Sequence, residues 1–477
     1  MRRIRQGLLA VAALPLLYLG VTSAAFVYRA RAADAMGARV ALTAATPFGK
    51  STRLLVFSPH PDDEVLGCGG SMAQVVRAGG SVRVVYMTSG DAFRVAVERA
   101  KRRVSVKAAD FIAFGKLRQQ ESLGALRELG LRADAASFLG YPDRGLMPLW
   151  LRNWAPDQRF RSRYTRASAS PYDRGHASCR GYCGANVMTD VLAAMDDFRP
   201  TDILVTHPSD DHQDHVATSA FVTRALQVAS ARGSAWAGRC ALGYYLVHRA
   251  EWPTPRSSDP EANQRPPVAL CGLDTDWMSR QLTPLDVERK RRALERYASQ
   301  TAMMPAFMTA FVRSTEVLGG LTEFPVQPLA GVVSTEAPSD VAWSAIPMAI
   351  RDPANDSILR SFQGEADIAD AQVCRDEDRL FLRVRTRAPI SPRCSISVFI
   401  RYFGDDADGS AGGSLNLTCG PRGQVDPPNI MVQTEGRCAT LAVPLRDVGY
   451  SRRLAITVSA SAAAMPVDST GVRFLRL

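Results

Sequence analysis

Two short apolar segments, residues 53–57 and 202–206, each run directly into a cluster of histidine and acidic residues, and a helical pattern follows each cluster. Short apolar runs of this kind predict buried strands of a parallel sheet. The first cluster is Ser58-Pro59-His60-Pro61-Asp62-Asp63-Glu64, and the second is His207-Pro208-Ser209-Asp210-Asp211-His212-Gln213-Asp214-His215. In open α/β sheets, ligands bind at the carboxyl ends of the strands. The two clusters are therefore expected to meet in one crevice of an α/β fold.

The clusters hold most of the chain's six histidines and combine them with aspartates. Imidazole nitrogen and carboxylate oxygen are ligands that zinc accepts, so the two clusters together predict a metal site. Each cluster alone has a simpler interpretation. Asp-Asp-Glu ahead of a helix is typical of N-terminal capping and dipole compensation, and His-x-x-His in a loop is often unrelated to metal. The occurrence of both clusters directly after apolar strands favours the metal site.

The same two motifs resemble the paired signatures of a known family. Pro59-His60-Pro61-Asp62-Asp63-Glu64 and His212-Gln213-Asp214-His215 look like those of the LmbE/PIG-L-type de-N-acetylases, over roughly residues 50–330 of this chain. The resemblance implies a Rossmann-like, mostly parallel sheet with helices on both faces. Weaker similarities follow in the family's order, at Met87-Thr88-Ser89-Gly90-Asp91, Arg118-Gln119-Gln120-Glu121, Phe138 to Asp143, and Lys290 to Gln300.

The resemblance also implies a metal centre and a reaction. His60, Asp63 and His215 would bind one Zn²⁺ per chain, and Asp62 would act as the general base. Three protein ligands leave one coordination position open, which is typical of catalytic zinc. Zinc lowers the pKa of water in that position to about 7. Asp62 would then take a proton from this water as the water attacks an acetamide carbonyl.

Further residues receive roles by the same resemblance. His212 would be the second catalytic group, protonated and stabilising the developing oxyanion, and Asp214 would orient its imidazole ring. Arg118 and Asp143 match positions that contact the sugar in relatives. Some relatives carry a tyrosine where this chain has Asp210, so a tyrosine is not expected to stabilise the oxyanion here.

Residues 1–32 have the pattern of a signal peptide or an N-terminal membrane anchor. Arginines at positions 2, 3 and 5 precede an uncharged run over residues 7–28, which is long enough to span a bilayer. Both a cleaved signal and an uncleaved anchor with its arginine-rich end in the cytoplasm fit this pattern. Either would place the catalytic domain in the periplasm or another extracytoplasmic location, with the inner membrane as a partner of the anchored form.

The nine cysteines fit an oxidising location. Cys68 is expected to be a buried free thiol. A second metal site, built from His176, Cys179 and Cys183, is an alternative that its three ligands and the oxidising compartment disfavour. The other eight cysteines fall into neighbours along the chain, which suggests four bridges whose pairing the sequence does not fix: Cys179–Cys183, Cys240–Cys271, Cys374–Cys394 and Cys419–Cys438.

A length of 477 residues, with 46% hydrophobic and 22% charged residues, implies a globular chain of two domains. We expect a deacetylase domain over residues 45–335, a linker rich in Pro, Ser and Asp over 336–356, and a β-sandwich over 357–477. Short alternating apolar runs indicate the sandwich; they lie at residues 366–374, 379–385, 395–402, 415–419, 439–443 and 454–458. Nothing beyond residue 345 is expected to be needed for bond cleavage.

Each of three other features has two possible interpretations. The net charge of +11 is concentrated in residues 99–103 and 152–166; it indicates either a solvated face or a rim that attracts an anionic glycan or lipid carrier, and export argues against nucleic acid. The aromatic-rich segment 149–183 is either a lid over the crevice or a loop packed by its own aromatics. The acidic turn 405–409 is either a solvated hairpin turn or a calcium site.

Together these observations predict a zinc-dependent hydrolase that de-N-acetylates amino sugars in an extracytoplasmic glycan or glycoconjugate. One alternative is a metal-dependent amidase or esterase that acts on a non-sugar acyl group. The other is a non-catalytic glycan-binding surface protein. Asp62 argues against the last, because a structural metal site has no need of a spare carboxylate.

Overall fold

The computed structural model describes residues 42–173, 180–250, 252–271, 273–329, 338–353, 363–404, 411–420 and 430–477, together with residues 20, 21, 24, 28, 409, 425 and 426. Most of the predicted signal or anchor over residues 1–32, the acidic turn 405–408, and residues His176 and Cys179 lie outside these ranges. Within the described ranges, no helix combines the length and the apolar character needed to cross a membrane.

The first domain is built on one sheet of eight described strands. The strands are β1 (Thr43–Ala44), β2 (Arg53–Ser58), β3 (Ser81–Thr88), β4 (Ala136–Tyr141), β5 (Asp202–Thr206), β6 (Ala241–Tyr245), β7 (Asp276–Gln281) and β8 (Thr315–Gly320). Their spatial order is β1-β7-β8-β6-β5-β2-β3-β4, and only β8 runs antiparallel to its neighbours β6 and β7. The chain order reverses between β2 and β5, which lie side by side with Leu54 opposite Asp202. This switch point is where open α/β sheets bind ligands.

Helices cover both faces of this sheet, because alternate residues of each strand point to opposite sides. On β2, Leu55 and Phe57 pack toward one layer of helices, whereas Leu54 and Val56 pack toward the other. The helices are α1 (Asp63–Arg77), α2 (Arg94–Lys101), α3 (Ala108–Glu128), α4 (Leu146–Leu151), α5 (Gly184–Phe198), α6 (Gln213–Ala231), α7 (Pro284–Glu295), α8 (Ala298–Thr301) and α9 (Pro305–Thr309). The predicted Rossmann-like α/β class is confirmed.

The rest of the chain forms a β-sandwich, as predicted, with one further helix, α10 (Asp340–Ala345). Its core lies between two sheets, where inward residues such as Leu382, Val398 and Ile456 meet. One sheet has the order β10-β12-β13-β18-β17, with β11 on β12; the other has the order β16-β15-β14-β19-β21-β9, with β20 on β19. The strands are β9 (Phe324–Pro325), β10 (Gln327–Pro328), β11 (Met348–Arg351), β12 (Ile368–Arg375), β13 (Arg379–Thr386), β14 (Cys394–Phe403), β15 (Gly412–Cys419), β16 (Val425–Asp426), β17 (Met431–Glu435), β18 (Cys438–Pro444), β19 (Arg453–Ala462), β20 (Met465–Ser469) and β21 (Arg473–Arg476).

The boundary between the domains differs from the predicted linker at 336–356. Helix α10 and strand β11 lie inside that segment, and Trp343 of α10 is buried against Phe381 of the sandwich. Strands β9 and β10, within the predicted first domain, pair with β21 and β12 of the sandwich. The segment is folded because its few apolar residues cover the outer face of a sheet.

The predicted disulfides have to be corrected. Three of the four predicted bridges do not form, and the fourth, Cys179–Cys183, includes Cys179, which lies outside the described residues. All eight described cysteines carry free thiols: Cys68, as predicted, Cys183, and both members of the predicted pairs Cys240–Cys271, Cys374–Cys394 and Cys419–Cys438. Cys374 lies in the small cluster under Trp343, whereas Cys394 points into the core between the sheets, so the two thiols occupy different layers. The thiols of Cys240 and Cys271 each contact a nearby backbone carbonyl, of Ala241 at 3.8 Å and of Pro267 at 3.5 Å. Cys419 and Cys438 lie on strands β15 and β18 of different sheets.

Candidate active site

The two histidine–aspartate clusters meet at the carboxyl ends of β2 and β5, as predicted. His60 Nδ1 and His215 Nε2 each lie 3.1 Å from Asp63 Oδ2, and the two ring nitrogens are 3.3 Å apart. Zinc ligands about 2.0–2.2 Å from the ion in a tetrahedral site are separated by about 3.3–3.5 Å. The triangle formed by His60, Asp63 and His215 therefore fits a zinc ion with little rearrangement, and the donor set of two imidazoles and one carboxylate is one that zinc accepts.

Carboxylates behind the triangle orient both histidine rings. Asp210 Oδ2 lies 3.2 Å from His215 Nδ1, which leaves Nε2 facing the triangle. Asp210 is itself fixed, because it accepts hydrogen bonds from the backbone N–H groups of His212, Val247 and His248. Such outer carboxylates set the tautomer of a ligating histidine and raise its basicity. The sequence analysis mentioned Asp210 only because some relatives have a tyrosine at its position. The structure shows that Asp210 orients the ring of His215.

Asp214 has a different partner from the one predicted. Its carboxylate lies 3.3 Å from His60 Nε2, rather than on the imidazole ring of His212. The same carboxylate accepts hydrogen bonds from the backbone N–H groups of Arg144, at 2.5 Å, and Leu146, at 3.0 Å. Since Asp214 stands on α6 and His60 follows β2, this contact ties the two motifs together. The carboxylate of Asp214 thus orients the ring of His60, while the predicted role of Asp214 as orienting partner of His212 finds a contact only through its backbone N–H, 3.2 Å from His212 Nδ1, and stays a prediction.

His212 lies at the edge of the triangle, with its ring centroid 4.7 Å from that of His60. Its Nδ1 accepts a hydrogen bond from the backbone N–H of Asp214 at 3.2 Å, so a neutral ring carries its proton on Nε2. Burial, together with the neighbouring His60 and His215, lowers the pKa of His212 to about 3. The contact to Asp214 thus leaves His212 Nε2 as a hydrogen-bond donor, and its predicted role as the second catalytic group stays a prediction.

Asp62 is held in an uncommon backbone conformation beside the triangle, with φ of 117°. It occupies the N-cap position of α1, yet its carboxylate makes no capping hydrogen bond within the described chain. The carboxylate instead lies 3.2 Å from Arg118 Nη2 and is 6% exposed. Burial raises the pKa of Asp62 to about 8, with Arg118 opposing this rise. The helix-capping interpretation does not fit this geometry.

Arg118 and Asp143, predicted to bind the sugar, both line the crevice and are also tied to its loops. Arg118 donates to the carbonyls of Pro61 and Gly90, the latter at 3.0 Å. Gly90 has a φ of +61°, and a Cβ there would lie 1.9 Å from Arg118 Nη1, so any other residue would strain the backbone and displace the guanidinium. Asp143 accepts from the backbone N–H of Ala92 at 2.7 Å and lies 3.4 Å from His60 Nε2.

Glu64 completes the first motif as a structural carboxylate. It is fully buried and accepts hydrogen bonds from the hydroxyl groups of Tyr86 and Tyr297, as well as from the backbone N–H of Asp62 at 3.1 Å. Burial raises the pKa of Glu64 to about 7. Tyr297 belongs to the closing segment of the family resemblance, and this contact joins that segment to the first motif.

His248 is a residue of the site that the sequence analysis missed. It follows β6, the strand beside β5, and a ring nitrogen lies within 4.8 Å of ligand atoms of Asp63 and His215. Its ring stacks on Phe307, with centroids 5.4 Å apart and planes 5° from parallel. The same rule that placed the other clusters, polar residues just beyond a parallel strand, could have found it.

The aromatic segment 149–183 packs mainly into the domain. Trp150, Tyr172 and Tyr182 are buried, and the hydroxyl of Tyr182 donates to the carbonyl of Gly140 at 3.0 Å. Tyr172 donates to the buried carboxylate of Asp91. For the described residues of this segment, the loop packed by its own aromatics is the better description.

Comparison with known proteins gives matches over the part of the chain that contains both histidine–aspartate clusters. Residues 55–226 match the family described as "PIG-L: GlcNAc-PI de-N-acetylase". A 1D-myo-inositol 2-acetamido-2-deoxy-alpha-D-glucopyranoside deacetylase from Mycobacterium sp. (strain KMS) is 35% identical over 180 residues, which are 37% of this chain and 50% of that protein. A protein of the same name from Rhodococcus erythropolis (strain PR4 / NBRC 100887) is 24% identical over 283 residues, 53% of this chain and 83% of its own.

The chain spans about half the length of the first of these curated relatives. Among solved structures, the N,N'-diacetylchitobiose deacetylase from Pyrococcus horikoshii is similar with a TM-score of 0.34 and 16% identity, over 56% of this chain and 82% of that one. The family match contains both clusters, the strand β5 and most of the strand β2. The match to the PIG-L family thus falls on residues 55–226, the part of the chain that carries the motifs on which the resemblance was based.

Proposed function

We propose that this protein is a zinc-dependent hydrolase that removes the acetyl group from N-acetylated amino sugars. One observation carries the proposal: His60, Asp63 and His215 converge within 3.3 Å of one another, and the buried carboxylate of Asp62 stands beside them without capping its helix. The relatives named above are deacetylases of an acetamido sugar. Their names support an acetamido sugar as the substrate class that we propose for this chain.

The chain's own residues divide the reaction between them. When bound by His60, Asp63 and His215, zinc supplies Lewis acidity, which polarises a carbonyl and makes water more acidic. Asp62 accepts the proton of the attacking water and returns a proton to the leaving amine. Arg118 holds that carboxylate in place through its contact at 3.2 Å. His212 donates from Nε2 to the oxygen on which negative charge develops.

The walls of the crevice set its size. Its volume is about 170 Å³, and the apolar side chains of Leu66, Phe93 and Phe307 line it beside the polar groups. Water is thereby partly excluded, which strengthens the electrostatic interactions inside. The space suits the reacting N-acetylated residue itself.

The extracytoplasmic location belongs to the same proposal and depends on the sequence alone. Basic residues followed by an uncharged run over residues 7–28 favour export. The natural substrate would then be a glycan or glycoconjugate outside the cytoplasm. Fractionation of cells that produce the full chain, with protease protection of the catalytic domain, would test this part separately.

The central test measures acetate release from N-acetylglucosamine oligomers by the purified protein. A chelator should abolish turnover, and zinc should restore it. Asp62→Asn removes the base but keeps the shape of the side chain, so zinc content should stay near one per chain while kcat falls by about 10²–10⁴-fold. His215→Ala should instead lose zinc, measured by elemental analysis.

Asp286→Asn is the matched control, because Asp286 caps α7 and lies in a capping box with Thr283, outside the crevice. It should lower the stability and leave kcat of the folded enzyme unchanged. If Asp62→Asn behaves like Asp286→Asn, Asp62 is a structural residue and the mechanism is wrong. Acetate release from acetylated amines or esters, but not from sugars, would favour an amidase or esterase; oligomer binding without turnover would favour a glycan-binding protein.

A further inference from the structure

The catalytic crevice is too small to hold more than the reacting sugar, and a second cavity shares part of its wall. His248, Met304 and Phe307 line both spaces. The second cavity has a volume of about 450 Å³ and lies between the loop that contains Trp252 and Arg256 and the start of α9. Ligand pockets for molecules larger than one small group are typically about 300–1,000 Å³. A substrate that extends beyond the crevice therefore has a preformed place beside it.

A third cavity continues from the second toward the sandwich. Its volume is about 560 Å³, and it shares Asp211 and Arg249 with the second cavity. These two side chains form an ion pair of 2.9 Å at the junction. The α/β domain contributes Ser209 and Gln213 to the third cavity, and the sandwich contributes Arg351 and Thr470. Both domains thus line a series of neighbouring cavities, each sharing wall residues with the next, that begins at the metal ligands.

The lining chemistry changes along this series in a way that suits sugar rings. Next to the crevice, the ring of Phe307 is stacked on His248, and Arg256 lies 5.6 Å from its centroid. Phe307 is 9% exposed and forms part of an apolar wall shared by the two cavities, and apolar walls of this kind are typical of ligand pockets. Hydroxyl, amide, carboxylate and guanidinium groups line the third cavity, and these groups hydrogen-bond to sugar hydroxyls.

We propose that the three cavities form one binding trough for a glycan of at least three sugar residues, with the reacting residue in the crevice and its neighbours beside Phe307 and between the domains. This inference rests on the proposed deacetylase function and specifies its substrate class as an oligosaccharide or polysaccharide. It also gives the sandwich a direct role in binding, through Arg351 and Thr470.

The test compares N-acetylglucosamine with its oligomers of two to five residues. On the full chain loaded with zinc, kcat/KM for acetate release should rise at least about tenfold from the monosaccharide to the trisaccharide. Two exposed positions probe the trough. Ala306→Trp should fill the second cavity, and Arg351→Ala should remove a guanidinium from the third; both should lower kcat/KM for the trisaccharide at least about tenfold more than for the monosaccharide. Arg132→Ala, at an exposed site away from all three cavities, is the matched control and should change neither.

A binding measurement separates failure of the trough from failure of the deacetylase proposal. Calorimetry on Asp62→Asn protein should show the trisaccharide bound at least about tenfold more tightly than the monosaccharide, with Ala306→Trp removing the difference. If no sugar is deacetylated but this difference persists, the trough stands and the proposed reaction is wrong. Equal binding and equal kcat/KM for one and three residues would overturn the trough. If octyl N-acetylglucosaminide gains as much as the trisaccharide, the cavity binds an apolar aglycone and the glycan assignment is wrong.

Discussion

Lys290 and Arg401 are buried cations on opposite faces of the central sheet, and the two faces neutralise them differently. Lys290, on α7, is fully buried, and its Nζ lies 2.8 Å from Glu316 Oε1 on β8. Glu316 also accepts hydrogen bonds from the N–H groups of Gly70 and Ser71, at 2.7 and 2.8 Å. On this face the charge is paired within the α/β domain, next to the kink of α1 at Cys68.

Arg401 belongs to the sandwich but lies in the core of the other face, 2% exposed. It donates from Nε to the carbonyl of Trp150 at 3.1 Å, and its guanidinium lies 4.0 Å from the ring centroid of Trp154. Its neighbours on β14, Phe399 and Phe403, lie in the same apolar cluster as the sheet's own Phe57. Burial lowers the pKa of Arg401, as expected for a cation paired with a carbonyl and ring faces.

The contrast shows how the active site depends on each domain. Helix α4 begins at Leu146, whose N–H donates to Asp214, and its Trp150 carbonyl accepts from Arg401. Trp150 also packs on Phe221 of α6, the helix that carries Asp214 and His215. One face of the sheet is therefore complete within the α/β domain, whereas the face covered by α4 and α6 is completed by the sandwich.

The largest expected effect follows from removing the sandwich. A chain that ends at Gly320 loses Phe399, Phe403 and Phe474, each of which contributes about 1.5–3 kcal/mol by burial. Their combined loss approaches the whole stability of a domain, about 5–15 kcal/mol. The truncated protein should not unfold cooperatively and should release no acetate even from N-acetylglucosamine.

This outcome differs from the expectation that residues beyond 345 are dispensable for cleavage. Circular dichroism during heating, compared with the full chain, is the measurement that decides. A truncated protein with a sharp transition near that of the full chain, and with normal turnover of the monosaccharide, would show that the shared core is not required.

The sequence predicted the site well where the information is local. His60, Asp62 and Asp63 lie in one short motif, and β2 and β5 precede their clusters directly. The parallel pairing of these strands then brings the motifs together without further information. Six of the sandwich strands were predicted for the same reason, because their alternation is visible within each segment.

The parts that could not be predicted depend on contacts between distant segments. Asp214 and His60 are 154 residues apart, and the choice of His60 over His212 depends on where the loop before α4 places its N–H groups. On β14, outward residues alternate with inward ones; the outward residues are Phe399, Arg401 and Phe403. The alternation alone does not show which domain covers this outward face. The cysteine pairing was wrong for a similar reason, since closeness in sequence does not place thiols in the same layer.

Lys290→Met should have the next largest effect, because it leaves Glu316 as an unpaired charge inside the protein. Breaking a buried pair in this way costs about 3–5 kcal/mol. Denaturant unfolding followed by fluorescence should show this loss of free energy of unfolding. The double variant Lys290→Met with Glu316→Gln removes the unpaired charge and should regain part of the loss.

Lys116→Met is the control for that pair, because Lys116 forms a 3.0 Å contact with Asp173 in which the side chains are 50% and 87% exposed. An exposed pair contributes at most about 1 kcal/mol. If Lys290→Met costs no more than Lys116→Met, or if the double variant is less stable than the single one, the buried pair is not what stabilises this face.

Arg401→Met should have a smaller effect than Lys290→Met, because it removes the charge itself and leaves only the carbonyl of Trp150 without its donor. A buried acceptor that loses its partner costs about 1–3 kcal/mol, and methionine keeps much of the packing against Trp154. Arg401→Lys should restore little, because an ammonium group has neither the planar fork nor the flat face that stacks on the indole. Arg452→Met, at an exposed position of the same domain, should stay within about 0.5 kcal/mol of the unsubstituted protein. Denaturant unfolding of the three variants ranks their free energies of unfolding. If Arg401→Met lost as much free energy of unfolding as Lys290→Met, the two faces would hold their cations in equivalent ways.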